Sequence, residues 1–174
     1  GISESVWRTQ HSLLRNADVY PTHGLGPIAV MADVNRGNRF LSLTSHATKA
    51  IGLSKYIVDN GGENHPNAKL KWKQGDIITS TIETSNGEII IITHNVNTPH
   101  PYSLGFKVQG VNGLSDFDRH TKRIHIEEIT EGHDWEAMDA WFEKYDHPLW
   151  KKNGDVADVS YTHLTLPTTP SVSI

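Results

Sequence analysis

Alternating hydrophobic and polar positions predict most of the strands in this chain. The clearest region is DIITSTIETSNGEIIIITHNV, residues 76–96, in which two β-rich runs flank Asn86–Gly87. Asn-Gly is the preferred pair for a two-residue hairpin turn, so this region predicts an antiparallel hairpin. The same kind of pattern predicts further strands at residues 39–48, 102–111 and 122–129.

Helical spacing of apolar residues is confined to short segments. The run DWEAMDAWFEKYD, residues 134–146, predicts an amphipathic helix, and GLSKYIVDN, residues 52–60, predicts a shorter one that ends at a glycine pair. A third helix is predicted from Pro27 to about Val34, because proline suits the first helical position and NRGN follows. The opening residues 5–19 fit either a helix or a loop.

Together these elements predict an α+β fold with a predominantly antiparallel β-sheet and helices packed on one face. We expect residues 1–152 to form one sheet domain and residues 153–174 to form a disordered, non-native tail. From Val159 the chain reads VSYTHLTLPTTPSVSI, which resembles the translation of a transposase end and adapter used in sequencing libraries. The alternative is a Thr/Pro-rich linker. On the adapter interpretation, Tyr161 and His163 are expected to have no function.

Composition narrows the class of protein. The chain has 174 residues, of which 36% are hydrophobic, and this is enough for a domain with a core. A net charge of −4 without a basic face predicts no nucleic-acid partner. No apolar run approaches the ~20 residues of a membrane span, which predicts no membrane partner. The absence of cysteine excludes disulfides and thiol catalysis and leaves the compartment open between bacterial cytoplasm and periplasm.

The segment with the most specific chemistry is YPTHGLGP, Tyr20–Pro27, here called the elbow. Its prolines fix the backbone dihedral φ, and its glycines permit positive φ and close backbone approach. Tyr20 and His23 can both transfer protons, and we expect them to lie where the following helix begins. Imidazole titrates near neutral pH, so His23 is a candidate acid/base group. The alternative is a histidine that only satisfies the backbone at a helix start.

The eleven histidines raise the question of a metal site. The candidates are His94, His100, His125 and His133. No H-x-x-x-H or H-E-x-x-H spacing links them, so we predict no metal site and interpret them as hairpin residues that face solvent. No G-x-G-x-x-G follows a strand, and the chain therefore carries no dinucleotide fingerprint of its own.

The ordered series WRTQHSLLRN, YPTHGLGPIA, NRGNRF, HPYSLGFKVQG and YDHPLWK resembles the C-terminal half of family 109 glycoside hydrolases, in the Gfo/Idh/MocA oxidoreductase superfamily. The resemblance covers about residues 6–152. It implies a sheet domain that supplies a sugar site, and a Rossmann domain, expected upstream of this chain, that binds NAD. It also implies α-N-acetylgalactosaminidase activity on a small carbohydrate by transient sugar oxidation, elimination, hydration and re-reduction. This half alone is expected to be inactive.

The resemblance also implies roles for individual residues. Arg8 in WR is similar to a substrate-binding arginine, and Tyr102 in HPYS to a substrate-binding tyrosine. The substrate-binding loop would consist of Tyr20, Pro21, Thr22 and His23. Within it, His23 and Tyr20 would be catalytic, and Tyr20 would also contact the nicotinamide of NAD.

Two other functions stay open. One is an NAD(P)-dependent sugar or cyclitol oxidoreductase of the same superfamily. Asn95, Asp134 and the segment PIAVMADVN depart from the family pattern and favour a sibling branch that catalyses another sugar oxidation or glycoside cleavage. The other is a non-catalytic sugar-binding or oligomerisation module, with the sheet as a candidate homo-oligomer interface. Net accumulation of NADH would indicate the first, and the lack of a Rossmann fingerprint upstream of Gly1 in the same gene would favour the second.

Overall fold

The computed structural model describes residues 6–103, 105–118 and 121–153, which form two units that meet in sequence at Pro101 and Tyr102. The first unit contains α1 (Val6–Leu14), α2 (Thr22–Met31), β1 (Phe40–Ala47), α3 (Gly52–Gly61), β2 (Ile77–Thr84) and β3 (Ile89–Asn95). Its strands form an antiparallel sheet in the order β1-β2-β3. The opening segment, for which the sequence left helix or loop open, therefore begins as a helix.

The second unit contains β4 (Phe106–Gly110), β5 (Gly113–Phe117), β6 (Lys122–Ile126), β7 (Glu136–Ala137) and α4 (Asp139–Tyr145). Its strands form a second antiparallel sheet in sequence order. The predicted α+β class with antiparallel strands is confirmed, although the strands are divided between two sheets. Of the predicted tail, residues 154–174 lie outside the described residues. No helix in the described part of the chain is long and apolar enough to cross a membrane.

The core of the first unit lies on the inner face of its sheet. Ile78, Ile82 and Ile90 point inward from β2 and β3 and are buried, as is Ile57 on α3. Helix α2 lies against β3. A Cβ atom added at Gly24 would lie 3.6 Å from Ile92 Cγ2, so the small residue sits in a close helix–strand contact. Strand β1, at the sheet edge, is exposed along its whole length.

The helix that follows the elbow begins earlier than predicted. α2 starts at Thr22, so Pro27 lies inside the helix and not at its first position. Pro21 takes the N-cap position with φ −71°, and its carbonyl accepts the first helical hydrogen bond from the Leu25 N–H at 2.8 Å. Because Pro27 has no N–H, the His23 carbonyl lacks its usual helical donor. Because α2 starts at Thr22, His23 lies in its first turn and not before it.

The β2–β3 hairpin is confirmed, but its loop is longer than predicted. The Thr84 N–H donates to the Glu88 carbonyl at 3.0 Å, which leaves Ser85–Gly87 as a three-residue loop. Gly87 has φ +95°, whereas Asn86 lies outside the left-handed region that a two-residue type I′ turn requires at both positions.

Asn38 explains this difference, because both ends of its side-chain amide bind the loop. Its oxygen accepts hydrogen bonds from the Ser85 hydroxyl at 3.0 Å and from the Asn86 N–H at 3.2 Å. Its nitrogen donates to the Glu88 carboxylate at 2.9 Å, and the Thr84 hydroxyl donates to the same carboxylate. Asn38 is buried, so these contacts override the turn that Asn-Gly favours locally.

Replacing Glu88 with glutamine is expected to remove a pH-dependent contribution to stability. Hydrogen bonds, first from Thr84 and then from the Glu88 backbone and Asn38, lower the pKa of this carboxyl in the folded state. Such a group stabilises the fold above its unfolded pKa of about 4.3, and the contribution is lost as pH falls through the folded value. Urea unfolding as a function of pH should show the wild-type advantage over Glu88→Gln shrinking in acid. A difference that does not depend on pH would contradict this.

The segment predicted as one helix over residues 134–146 is split in the structure. Residues 136–137 pair with β6, and only Asp139–Tyr145 is helical. The indole ring of Trp135 lies 4.4 Å from the guanidinium carbon of Arg123 on β6. This packing and the strand pairing outcompete the helical tendency of the first residues.

Candidate functional site

The first unit brings together three of the predicted site residues. The rings of Tyr20 and His23 are stacked, with centroids 4.7 Å apart and planes 22° apart. The guanidinium carbon of Arg8 lies 5.5 Å from the centroid of the Tyr20 ring. Helix α1 supplies Arg8, the loop before α2 supplies Tyr20, and the first turn of α2 supplies His23. All three side chains are exposed.

This arrangement places three complementary functional groups on one surface. An imidazole can accept or donate a proton. A phenol can donate and accept hydrogen bonds, and a guanidinium presents five N–H donors. Pro21 and Thr22 are exposed beside them at the start of α2. The surface therefore combines a group that can transfer protons with several hydrogen-bond donors and acceptors.

An apolar groove of about 460 Å³ lies along α2, close to this surface. Pro21 and Thr22 contribute to its lining, together with Leu25, Ala29 and Phe40. Neither Tyr20 nor His23 lines the groove. The groove and the aromatic stack are therefore separate features, which share only the exposed start of α2.

Tyr102 belongs to the second unit and is 64% exposed. The strand predicted over residues 102–111 is shorter in the structure, so Tyr102 precedes β4 and is not part of it. Its substrate-binding role stays a prediction based on the HPYS motif.

Two residues behind the elbow were not identified as a pair by sequence reasoning. Asp18 Oδ1 accepts a hydrogen bond from the Tyr20 N–H at 2.7 Å and lies 3.1 Å from His94 Nδ1. The two side chains are only 12% and 10% exposed. The interpretation of His94 as a solvent-facing hairpin residue is wrong, because it lies on the inner face of β3 opposite Ile78.

Two of the other candidate histidines have local partners. His100 Nδ1 lies 2.7 Å from the Thr98 carbonyl, and His125 Nδ1 lies 2.9 Å from the Asp134 carbonyl. Within residues 6–103, 105–118 and 121–153, no three His, Asp or Glu side chains converge so as to hold a metal ion.

Comparison with known proteins shows which family the chain belongs to. Residues 1–163 match the family described as Glycosyl hydrolase 109, C-terminal domain. The chain belongs to glycoside hydrolase family 109. The match extends past Val159, into the first residues of the segment that resembles adapter sequence.

Curated relatives of this family 109 chain are similar over most of its length. It is 56% identical over 150 residues to a glycosyl hydrolase family 109 protein of Parabacteroides distasonis, with 85% of this chain and 31% of the relative covered. It is 53% identical over 148 residues to a protein of Tannerella forsythia named alpha-N-acetylgalactosaminidase, with the same coverage. A family 109 protein of Stenotrophomonas maltophilia is 48% identical over 158 residues, with 90% and 34% covered.

The family 109 chain thus spans about a third of the length of the curated relatives it matches. The match to a C-terminal domain confirms that this is the C-terminal part of a family 109 protein.

Proposed function

We propose that the full-length protein is a glycosidase that acts on α-linked N-acetylgalactosamine and binds this sugar at the elbow. The assembly of Arg8, Tyr20 and His23 on one exposed surface carries the proposal. Family membership supports the glycosidase class, and the name of the Tannerella forsythia relative supports the sugar.

Arg8 and the first four residues of the elbow each have a role in this proposal. The His23 imidazole is the acid/base group that exchanges protons with the sugar during elimination and hydration. The Tyr20 hydroxyl and the Arg8 guanidinium bind sugar hydroxyl groups, and Pro21 and Thr22 form the rest of the substrate loop. These roles require the side chains to be open to a ligand, and all of them are exposed.

NAD dependence is the second part of the proposal. When bound, NAD supplies reversible hydride transfer at sugar C3, and the resulting ketone acidifies the proton at C2. The residues of this chain fit only the nicotinamide end of NAD, because the Tyr20 ring is 47% exposed and can contact a bound ring. The sequence contains no glycine-rich phosphate-binding turn. Tyr20 would therefore contact the nicotinamide, and the pyrophosphate would be bound by a part of the full-length protein outside this chain.

One of the sequence features that favoured a sibling branch, Asn95, has a structural explanation. Asn95 Oδ1 accepts hydrogen bonds from the Thr98 hydroxyl at 2.8 Å and from the Thr98 N–H at 3.3 Å. Either asparagine or aspartate can organise a turn in this way, so the identity of residue 95 does not indicate a different reaction.

Product analysis of the full-length protein tests the proposal. Incubation with NAD and a chromogenic α-N-acetylgalactosaminide should release the aglycone without net accumulation of NADH, because the hydride returns to the sugar. NADH that accumulates in proportion to oxidised sugar would instead establish the oxidoreductase. Binding of the sugar without either product would establish the non-catalytic module.

A further inference from the structure

A buried polar cluster connects β3 to the backbone of the elbow. It consists of Asp18, His94 and Gln74, whose side chains are largely removed from solvent. We propose that His94 is a positioning residue, which holds Tyr20 in place through Asp18 and thereby orients the stack on which the reaction depends. The catalytic consequence rests on the proposed function, whereas the structural link does not.

Both ring nitrogens of His94 have a neighbour in the cluster. The Asp18 carboxylate can only accept, so the His94 Nδ1, at 3.1 Å, carries the proton between them. The same carboxylate oxygen accepts the Tyr20 N–H at 2.7 Å. His94 Nε2 lies 3.4 Å from the Gln74 amide nitrogen. With a partner on each ring nitrogen, the orientation of the imidazole is fixed.

The residues next to Gln74 hold the helix that carries Arg8. The backbone N–H groups of Lys73 and Gln74 donate to the Ser12 carbonyl in α1, at 3.3 and 3.0 Å. The Gly75 N–H donates to the Asn16 side-chain oxygen at 3.0 Å. Gln74 is 1% exposed, so this anchor is part of the core. The helix that bears Arg8 and the loop that bears Tyr20 are therefore attached to one buried frame.

A positioning role and a purely structural role predict different rankings of variants. Leucine at position 94 fills most of the volume of histidine but offers no donor to Asp18. Asparagine is smaller and leaves a cavity, but its Nδ2–H can replace the histidine Nδ1–H. If His94 only stabilises the fold, the activity of each variant should follow its melting temperature. If His94 positions the elbow, the variant that keeps an N–H donor to Asp18, asparagine, should be more active than the leucine variant.

The experiment measures kcat, KM and melting temperature for full-length His94→Leu and His94→Asn. A displacement of about 1 Å can cost about 10²-fold in rate, so His94→Leu should lose kcat on that scale while His94→Asn keeps most of it. The matched control is Asp59→Ala, which removes the exposed Lys55–Asp59 ion pair of the same unit and should leave kcat unchanged. Equal kcat values for His94→Leu and the wild type, or a loss that only follows melting temperature, would overturn the positioning role.

Hydrogen exchange at the Tyr20 amide tests the same link without relying on activity. This N–H is bonded to Asp18 in the wild type, and its exchange should be about tenfold faster in His94→Leu but not in Asp59→Ala. Unchanged exchange in His94→Leu would refute the inference. Failure of the wild type to release any aglycone would refute the proposed function instead, and the exchange result would still decide the role of His94.

Discussion

Replacing His23 with alanine is expected to lower the kcat of the full-length protein about 10²–10⁴-fold, which is the usual contribution of a general acid/base group. The fold should be preserved, because His23 is exposed in the first turn of α2 and its ring contact is with the exposed Tyr20. Truncating such a side chain usually changes the free energy of unfolding by less than about 0.5 kcal/mol. Steady-state aglycone release and thermal melting of the same preparations measure the two quantities.

His46→Ala is the matched control for this variant. His46 is an exposed histidine on the edge strand β1, opposite Thr79 and outside the elbow. Its removal should leave both kcat and melting temperature near the wild-type values. Activity of His23→Ala within a few-fold of the wild type, or a loss explained entirely by unfolding, would make the elbow a structural turn.

Replacing Asp76 with alanine is expected to destabilise the first unit by about 3 kcal/mol. The Asp76 side chain accepts hydrogen bonds from the backbone N–H groups of Ile51 and Gly52, at 3.0 and 2.8 Å, and so caps the start of α3 from a distant part of the sequence. Asp76 is 8% exposed, so alanine would leave both donors without a partner and poorly hydrated. Urea unfolding followed by far-UV circular dichroism measures the change.

Two further variants separate the cap from a general charge effect. Asp76→Asn keeps one acceptor oxygen and should give an intermediate loss. Asp59→Ala removes an exposed carboxylate on α3 itself and should cost less than about 1 kcal/mol, as exposed ion pairs usually do. An Asp76→Ala loss no larger than that of Asp59→Ala would contradict the capping role.

Local patterns predicted the elements of the fold better than their boundaries. The hairpin of β2 and β3 follows from alternation over neighbouring residues, and α3 follows from its spacing and glycine stop. The loop length of the hairpin depends on Asn38, which is 48 residues away from Asn86 in sequence. The split of the predicted helix at residues 134–146 depends on pairing with β6, which is likewise not visible in the segment itself.

In the candidate site, too, the sequence revealed residues that are close in the chain and missed contacts between distant ones. Tyr20 and His23 are close in sequence, so a tight proline-containing turn was enough to suggest that they act together. Arg8 lies near Tyr20 on α1, a helix whose Ser12 carbonyl accepts the Lys73 and Gln74 N–H groups, and the resemblance to a family was needed to identify it. His94 could have been recognised, since it has the same parity along β3 as the inward-facing Ile90 and Ile92.

The position of solvent hydrogen in the released sugar tests most directly whether the elbow serves a redox-assisted elimination. The full-length protein is allowed to cleave an α-N-acetylgalactosaminide in D₂O, and deuterium in the product is located by NMR. Removal and return of the C2 proton during elimination and hydration predicts that each released sugar carries deuterium at C2. A product that keeps its original hydrogen at C2, as direct displacement by a carboxylate pair would give, would contradict the account.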